Sequence, residues 1–354
     1  MHDDRAITDA LESWFRGNAR DLPWRSEPRD PYHALVSELM LQQTQVSRVL
    51  EKFSPFIDRF PTVQTLAEAT EDEVLAMWSG LGYYRRARML HRCAQAIVEH
   101  HAGIVPRDLE QLKALPGIGR YTAGSIASIV FDQPTPIVDG NVTRVLQRLH
   151  NNPSPQTDKD TIAWSWKRAT DLAESAHNPG AFNEGMMELG ATVCTPKNIR
   201  CTLCPLREHC EAFEAGTTEQ VPPPKPRTKQ KMNHCFSVIV TDDRGHLLVE
   251  QRPSDGMWAG LFQVPTFENE SSMPTPESVA QALGCSTGDL EPIGSFTHVT
   301  THRIVEFSVY RSVRTDINPG GRRLVDPEDL HTLGISNAQT RIVGMLDSVD
   351  TIHQ

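Results

Sequence analysis

The stretch that decides the fold begins Leu115-Pro116-Gly117-Ile118-Gly119-Arg120-Tyr121-Thr122 and continues, after a second helix, with Val138-Asp139-Gly140-Asn141-Val142. The first part predicts a helix, a tight hairpin in which Gly117 and Gly119 allow positive φ and close backbone approach, and another helix. The free N–H groups that start this second helix suit a phosphate. Asp139 is expected to cap a third helix, whose apolar residues recur at helical spacing. The pattern predicts a hairpin that grips a nucleic acid and a carboxylate placed against it, although on spacing alone Asp139 could be a plain N-cap.

The whole chain sets limits on this reading. With 354 residues, 38% hydrophobic and 23% charged, it is expected to form two or three globular domains. No run is long and apolar enough for a membrane span, and the N-terminus lacks the pattern of a signal peptide, so an intracellular location is expected. The net charge of −10 disfavours DNA except at a local basic patch, for which 85–88 and 225–229 are the candidates.

Residues 1–215 are predicted to be mostly helical. A helix is expected to follow Thr8 as its cap and to run through Phe15, and another is expected from Pro31 to about Phe53. On the second helix Gln42 falls within the apolar stripe, where an unpaired amide would be costly, so a polar partner is expected there. Glu38 and Gln43 fall at the two borders of that stripe. Further helices are predicted over 72–78, 85–100, 159–176 and 181–193.

Four of the seven cysteines crowd into 194–210 with the spacing Cys194-x6-Cys201-x2-Cys204-x5-Cys210. In a reducing compartment this crowding favours a metal site over disulfides. Thiolates at such spacing bind either an iron–sulfur cluster or zinc, and only one pair has the C-x2-C spacing of a zinc knuckle. Cys93, Cys235 and Cys285 are isolated and are expected to be buried as small hydrophobes.

A Pro-, Thr- and Lys-rich linker is predicted over 216–233, and the chain beyond it turns β-rich. Strands are predicted over 236–241, 246–251, 262–267, 293–297 and 304–310, with a hairpin turn at Asp242-Asp243-Arg244-Gly245. Helices are predicted over 276–283 and 337–349. Residues 234–354 therefore predict one α+β domain.

Several motifs together resemble the MutY family of adenine DNA glycosylases. They are the Ser37-Glu38-Leu39-Met40-Leu41-Gln42-Gln43-Thr44 run, Gly80-Leu81-Gly82-Tyr83-Tyr84, the hairpin, the Asp139 motif and the four cysteines. The resemblance implies a mostly α N-terminal helix-hairpin-helix glycosylase region with a six-helix barrel-type and cluster domain over 1–215. The hairpin unit would cover 107–128 and the iron–sulfur loop 194–210. A linker over 216–233 and a Nudix-like 8-oxoguanine recognition domain over 234–354 would follow.

The resemblance implies base excision repair of double-stranded DNA, in which adenine mispaired with 8-oxoguanine or guanine is flipped out and released. Glu38 would protonate adenine at N7 and then activate water, and Asp139 would stabilise the sugar cation. Tyr121 would support Asp139, and Asn141 would orient the site. DNA and base contacts would come from Gln42, Gln43, Thr44, Tyr83, Gly117 and Gly119, and the adenine pocket from Trp24, Arg25 and Glu184.

The same resemblance implies a [4Fe–4S] cluster on Cys194, Cys201, Cys204 and Cys210, with Lys197 and Arg200 facing DNA. In the C-terminal domain, Phe296-Thr297-His298 matches the family's Phe-Ser-His loop that reads 8-oxoguanine, with threonine in place of serine. The magnesium-binding carboxylates of a Nudix hydrolase are missing from 277–283, so no pyrophosphatase activity is expected. The protein is expected to be a monomer without membrane partners, cytoplasmic and nucleoid-associated if bacterial.

Two other enzymes are alternatives. One is an endonuclease III-like glycosylase acting on other damaged bases. Enzymes of that kind carry a lysine that forms a Schiff base at the place matched by Tyr121 in this chain. Tyr121 cannot form an imine, which predicts a monofunctional glycosylase. The other is a hydrolase of oxidised nucleoside triphosphates, which the missing carboxylates disfavour. A damage-binding protein without catalysis is disfavoured because Glu38 and Asp139 are present.

Overall fold

The structure is a computed structural model that describes residues 3–224, 229–314 and 321–346. These residues form two compact units. The first contains 3–68 and 89–224, and the second contains 69–88, 229–314 and 321–346. In the described part of the chain, no helix has the length and apolar character needed to cross a membrane.

The chain up to the linker is helical, as the sequence predicts. Helices α5 and the first turn of α6 lie in the segment 69–88, which groups with the second unit. The helices are α1 (Asp4–Asn18), α2 (Pro31–Leu41), α3 (Val46–Arg59), α4 (Val63–Glu68), α5 (Glu71–Met77), α6 (Arg85–His101), α7 (Leu109–Ala114), α8 (Arg120–Ile129), α9 (Gly140–Leu149), α10 (Lys159–Ser175), α11 (Pro179–Thr192) and α12 (Glu211–Glu214).

In the helical region, two predicted helices differ from the structure by three or more residues at one end or both. Helix α1 starts at Asp4 because Asp3 accepts hydrogen bonds from Arg5 N and Ala6 N, whereas Thr8 lies inside the helix. The predicted helix from Pro31 to Phe53 is two helices, α2 and α3. The chain breaks between them where Gln43 takes a left-handed φ of 56°.

One apolar cluster of the first unit lies between α1, α9, α10 and α11. The predicted apolar face of α9 is buried in it, because Val142, Val145, Leu146 and Leu149 are each at most 3% exposed. Helix α9 packs on α10, α11 and α12, so the helix that follows Asp139 is held from several sides. This packing fixes where the start of α9 lies.

The second unit is built on a mixed sheet of order β3-β2-β1-β6-β5, with β4 paired to β1 and β7 paired to β2. Strands β1 and β6 are parallel over their full length, from Lys231↔Arg303 to Thr241↔Val313. The elements are β1 (Lys231–Thr241), β2 (Leu247–Gln251), β3 (Phe262–Gln263), β4 (Thr266–Asn269), α13 (Pro276–Leu283), β5 (Glu291–Val299), β6 (Arg303–Val313), β7 (Arg323–Val325) and α14 (Asn337–Val343).

Both faces of this sheet are covered. Alternate residues of β1 enter two separate apolar clusters, with Cys235 and Ile239 on one face and Phe236 and Val238 on the other. Strand β1 starts at Lys231, inside the predicted linker, and the predicted strand 262–267 is divided around Pro265, which cannot donate to a ladder. The predicted helix 337–349 ends at Val343 with Gly344 as its C-cap, and residues 347–349 lie outside the described residues.

Candidate active site

Asp139 lies at the N-terminus of α9, as the sequence predicts. Its Oδ1 accepts hydrogen bonds from the backbone N–H groups of Asn141 (2.9 Å) and Val142 (2.7 Å). Its Oδ2 accepts one from Asn141 Nδ2 at 3.0 Å. These three donors, at the positive end of a helix, stabilise the carboxylate and fix its direction.

Glu38 lies on α2 and is partly buried. Burial, together with the smaller effect of the negative charges of Asp139 and Glu184, raises its pKa from 4.5 to about 7. A hydrogen bond from Ser125 Oγ to Glu38 Oε1, at 2.8 Å, acts in the opposite direction because it favours the ionised form. Glu38 can therefore keep a proton near neutral pH beside a second carboxylate, which is the arrangement needed for acid catalysis.

Tyr121 is close to both carboxyl groups. Burial, and then the charges of Glu38 and Asp139, raise the pKa of its hydroxyl well above the usual value. The hydroxyl donates to Sδ of Met187 at 3.0 Å, so it does not reach Asp139 through that hydrogen bond. The side chain at this position carries no amine.

Asn141 is held from behind by Arg144, which the sequence analysis did not single out. The Arg144 guanidinium donates to Asn141 Oδ1 (3.0 Å), to the Gly190 carbonyl (2.7 Å) and to the Cys194 carbonyl (2.9 Å). The hydrogen bonds of Arg144 therefore connect the residue that orients Asp139 to the end of α11 and to the first of the four cysteines.

Arg25 and Glu184, both predicted for an adenine pocket, form an ion pair with an Nε–Oε1 distance of 2.8 Å. Arg29 pairs with the other oxygen of Glu184 at 2.7 Å, and Arg25 also reaches Glu188 at 3.0 Å. Burial raises the pKa of Glu184 despite these arginines. Burial also acts to raise the pKa of Glu188, but hydrogen bonds and charges from Arg20 and Arg25 bring it below its usual value.

Trp24 and Gln42 are also predicted to contact the base or DNA. Trp24 is 9% exposed, and its ring meets the edge of Phe53 at a centroid distance of 5.3 Å, so most of the ring belongs to the core. Gln42 Nε2 donates to the hydroxyl of Thr122 at 3.4 Å, which supplies the polar partner that its apolar surroundings predict.

Gln43 and Tyr83, two of the residues expected to contact DNA, both have left-handed backbones, with φ of 56° and 48°. Non-glycine residues rarely adopt this conformation, and such outliers cluster at functional sites. Gln43 is exposed and Thr44, next in the chain, is partly buried. Tyr83 is 42% exposed, and its hydroxyl lies 2.6 Å from the hydroxyl of Thr301.

The two candidate basic patches have different outcomes. In the run 85–88, only Arg85 is exposed, because Arg86 is buried against Trp78 and Arg88 pairs with Glu71. That run is therefore not the surface patch that the sequence predicts. Residues 225–228 of the second run lie outside the described residues. Lys197 and Arg200 are exposed.

In the hairpin, Gly117 has a φ of +77°, and a Cβ there would lie 2.5 Å from Cβ of Met89. The prediction of positive φ is wrong for Gly119, which has φ −89° and ψ 177° as the N-cap of α8. A Cβ on Gly119 would meet no atom within 4 Å. The start of α8 has no side-chain cap, so backbone N–H groups are available there.

In the second unit, Phe296 is 8% exposed and stacks on Phe307 with ring centroids 4.9 Å apart. It is thus part of the core. Thr297 is exposed and His298 is partly buried beside Trp258. Burial lowers the pKa of His298, and the charge of Arg341 lowers it further.

Cys194, Cys201, Cys204 and Cys210 line one small pocket, and none of them is in a disulfide. Arg148 also lines it and donates to Cys194 Sγ at 3.3 Å. Among the described residues, no group of three or more His, Cys, Asp or Glu side chains is arranged to hold a metal ion. Four free thiols around one shared pocket are the type of ligand that iron–sulfur clusters and zinc both use. Cys93 and Cys235 are fully buried elsewhere, and Cys285 is partly buried.

Four site residues are not predicted above, namely Ser125, Arg144, Glu188 and Arg29. A signal existed for Glu188, because Glu184 and Glu188 are four residues apart on an otherwise apolar helix and are therefore expected on one face. Arg144 also had a local signal, because it lies three residues after Asn141 on the same helix. Ser125 gave no local signal, since its partner Glu38 is distant in sequence.

Two known protein families match different parts of the chain. Residues 36–170 match the HhH-GPD superfamily base excision DNA repair proteins, and residues 235–345 match the NUDIX domain. The chain is 34% identical to the human adenine DNA glycosylase over 401 residues, which covers 95% of this chain and 73% of the human protein. It is 36% identical to the adenine DNA glycosylase of Buchnera aphidicola (subsp. Schizaphis graminum) over 265 residues, covering 75% of this chain and 76% of that protein.

Two solved structures are similar to the helical part. A thermostable thymine-DNA glycosylase superposes with a TM-score of 0.54 at 25% identity, covering 60% of this chain and 97% of that one. A non-covalent endonuclease III–DNA complex superposes with a TM-score of 0.50 at 22% identity, covering 61% and 99%, and shows the shared fold alone.

Proposed function

The chain belongs to the adenine DNA glycosylase family of DNA N-glycosylases, and from this premise we propose that it releases adenine paired with 8-oxoguanine or guanine in double-stranded DNA. Adenine inside a duplex is out of reach, so the nucleotide must be flipped out of the stack. The reaction is hydrolysis: the bond between C1′ and N9 breaks, adenine leaves, and a water oxygen bonds to C1′.

Glu38 and Asp139 divide this chemistry. Protonated Glu38 donates to N7 of adenine, which makes the base a better leaving group. Asp139 stabilises the positive charge that develops on the sugar as the bond breaks. Glu38, now ionised, takes a proton from the attacking water. The observation that carries the proposal is the pKa of Glu38, raised to about 7 beside a carboxylate held by three hydrogen bonds.

The remaining predicted residues bind the base and the DNA. Arg25 and Glu184 form the polar wall of the adenine pocket, with Trp24 contributing apolar area at its edge. Backbone N–H groups near Gly117 and Gly119 bind a phosphate, which the open space beside Gly119 supports. The strained, exposed positions of Gln43 and Tyr83 support insertion into the duplex, assisted by Gln42 and Thr44.

Tyr121 makes the enzyme monofunctional. Strand cleavage by the related bifunctional enzymes needs an amine that forms a Schiff base with C1′, and a phenol cannot supply one. Incubation with substrate DNA and borohydride is therefore expected to give no covalent adduct. Tyr121→Lys is expected to give a trapped adduct, because it places an amine beside the reacting carbon. Trapping of the parent protein would contradict the proposal.

The four cysteines would hold a [4Fe–4S] cluster, with Lys197 and Arg200 of the same loop binding the DNA backbone. When bound, such a cluster supplies a cross-link that orders the loop. Arg148 donates a hydrogen bond to Cys194 Sγ, which helps to fix the position of that sulfur in the loop.

The C-terminal domain reads the opposite base. The exposed Thr297 hydroxyl and the ring of His298 contact 8-oxoguanine, while Phe296 supports them from the core. The same domain has no pyrophosphatase activity. The protein acts as a monomer on chromosomal DNA inside the cell.

The test is a glycosylase assay on duplexes with adenine opposite 8-oxoguanine, guanine or thymine, with and without alkali. We expect alkali-dependent strand breaks at adenine with the first two duplexes and none with thymine. Breaks without alkali would refute the monofunctional reaction, and equal rates on all three would refute the mismatch specificity.

A further inference from the structure

Helix α8 presents three buried hydroxyl groups at three-residue spacing. Thr122, Ser125 and Ser128 are 2%, 1% and 0% exposed, so each hydroxyl needs a partner inside the protein. Thr122 accepts a hydrogen bond from Gln42. Buried side-chain hydroxyls in this pattern form one polar stripe along α8.

Ser125 and Ser128 use their hydroxyls differently. Ser128 donates to the Gly124 carbonyl one turn back at 2.8 Å, the usual behaviour of serine inside a helix, and accepts from Asn183 Nδ2 at 2.8 Å. Ser125 instead donates across to α2, to Glu38 Oε1 at 2.8 Å. The proposed acid is thus directly hydrogen-bonded by a buried side chain that the family motifs do not include.

We propose that Ser125 is a positioning residue that decides which oxygen of Glu38 carries the catalytic proton. A protonated carboxyl has one oxygen that only accepts and one that donates. Donation by Ser125 to Oε1 makes Oε1 the accepting oxygen, so the proton is carried on Oε2. Oε2 then gives this proton to N7 of adenine and regains one from the attacking water. The inference rests on the proposed role of Glu38.

The same hydrogen bond sets the pH at which Glu38 loses its proton. Ser125 favours the ionised form and so lowers the pKa of Glu38, against burial and two negative charges. Substitution of Ser125 leaves every other group around Glu38 in place. These groups are Asp139 at the start of α9, Tyr121 on α8, and Glu184 on α11 with its partners Arg25 and Arg29.

The experiment is the pH dependence of single-turnover adenine release by full-length Ser125→Ala, on a duplex with adenine opposite 8-oxoguanine. The alkaline limb of the rate profile reports the loss of the Glu38 proton. We expect this limb to move to higher pH by about one unit, the size typical of a hydrogen bond to a charged acceptor. Ser125→Thr, which keeps the hydroxyl, should restore the parent limb. Alanine favours helix more than serine does, so α8 is retained.

Ser128→Ala is the matched control, because it removes an equally buried hydroxyl from the same helix that does not touch Glu38. Its alkaline limb should coincide with that of the parent. If the alkaline limb of the Ser125→Ala rate profile coincides with that of the parent, the inference is overturned. A change in the maximal rate would not rescue it, because lost packing can slow the reaction without changing a pKa. Glu38→Gln in the same assay separates a failure of the role of Ser125 from a failure of the role of Glu38. Adenine release by Glu38→Gln at the parent rate would overturn the role of Glu38 itself. If Glu38→Gln is inactive but the alkaline limb of the Ser125→Ala rate profile does not move, only the role of Ser125 is overturned.

Discussion

At the scale of single residues, Glu38 and Asp139 are two carboxyl groups given different tasks by their surroundings. Asp139 receives three hydrogen bonds at a helix N-terminus, which hold its carboxylate in one orientation. Glu38 receives one hydrogen bond, and burial raises its pKa, which favours the neutral form. The difference lets one site supply both an acid and an anion.

Burial of Glu38 has a consequence for stability that can be measured apart from catalysis. Its pKa in the folded protein is about 7, above the ordinary 4.5, so ionising it opposes folding. That cost is absent below about pH 4.5, grows between pH 4.5 and 7, and is complete above pH 7. We therefore expect Glu38→Gln to be more stable than the parent by roughly 3 kcal/mol at pH 8, with the gain shrinking towards zero near pH 4.5.

Denaturant unfolding across this pH range is the measurement. Glu99→Gln serves as the control, since Glu99 is an exposed residue of α6. Its stability relative to the parent should not follow this pH dependence. A gain for Glu38→Gln of the same size at pH 5 and pH 8 would show that Glu38 is not neutral in the folded protein.

Local sequence predicts some of these residues well and others not at all. The cap at Asp139 could be predicted because a cap bonds N–H groups two and three residues away. The bonds from Ser125 to Glu38 and from Arg144 to Cys194 could not, because these partners are 87 and 50 residues distant. Their roles depend on how the helices pack.

At the scale of helices, the site depends on the close approach of α9 and α11. A Cβ on Gly190 would lie 2.7 Å from Cβ of Asn141 and 3.4 Å from its backbone. Asn141 donates a hydrogen bond to Asp139 and accepts one from Arg144. The space beside Gly190 therefore determines where Asn141 lies, and through Asn141 the position of Asp139.

Gly190→Ala is therefore expected to destabilise the protein by about 1–3 kcal/mol through overpacking, and to slow adenine release at least tenfold. Unfolding and single-turnover rates measure the two effects. Gly17→Ala is the control, because a Cβ at that position of α1 would meet no atom within 4 Å. It should be neutral or stabilising by up to about 1 kcal/mol. Parent-like activity of Gly190→Ala would mean that this contact does not position Asp139.

Helix and strand types were predicted better than their boundaries. One continuous apolar stripe predicted a single helix from Pro31 to Phe53. Hydrophobic periodicity cannot detect a helix break when the apolar residues continue in the same pattern on both sides of the break. The break at Gln43 requires a left-handed backbone conformation, and the sequence there has no glycine to indicate it. The division of strand 262–267 did have a signal, the proline at 265.

At the scale of the whole molecule, the segment 69–88 groups with the C-terminal residues although it lies inside the predicted helical region. Tyr84 donates to the Ile335 carbonyl at 2.8 Å, and Tyr83 meets Thr301. Composition can locate the linker, but it contains no information on contacts between residues about 200 positions apart. Tyr83 is thus tied to the strand hairpin that carries Thr297.

The proposed cluster should stabilise the chain as a whole. Cys204→Ser removes one of four thiols from the shared pocket, so we expect loss of iron and sulfide and a decrease of more than about 3 kcal/mol in the free energy of unfolding. Cys285→Ser, at a partly buried cysteine outside that pocket, should keep the iron content of the parent. Purified parent protein with zinc and no iron would contradict the cluster assignment.

The most direct measurement is the release of free adenine from a duplex containing adenine opposite 8-oxoguanine, by the parent, Glu38→Gln and Asp139→Asn under single-turnover conditions. Asparagine caps a helix about as well as aspartate, so Asp139→Asn should keep its fold. We expect both variants to bind the duplex like the parent and to release adenine at least a thousandfold more slowly. Release at the parent rate by either variant would contradict a reaction carried by these two carboxyl groups.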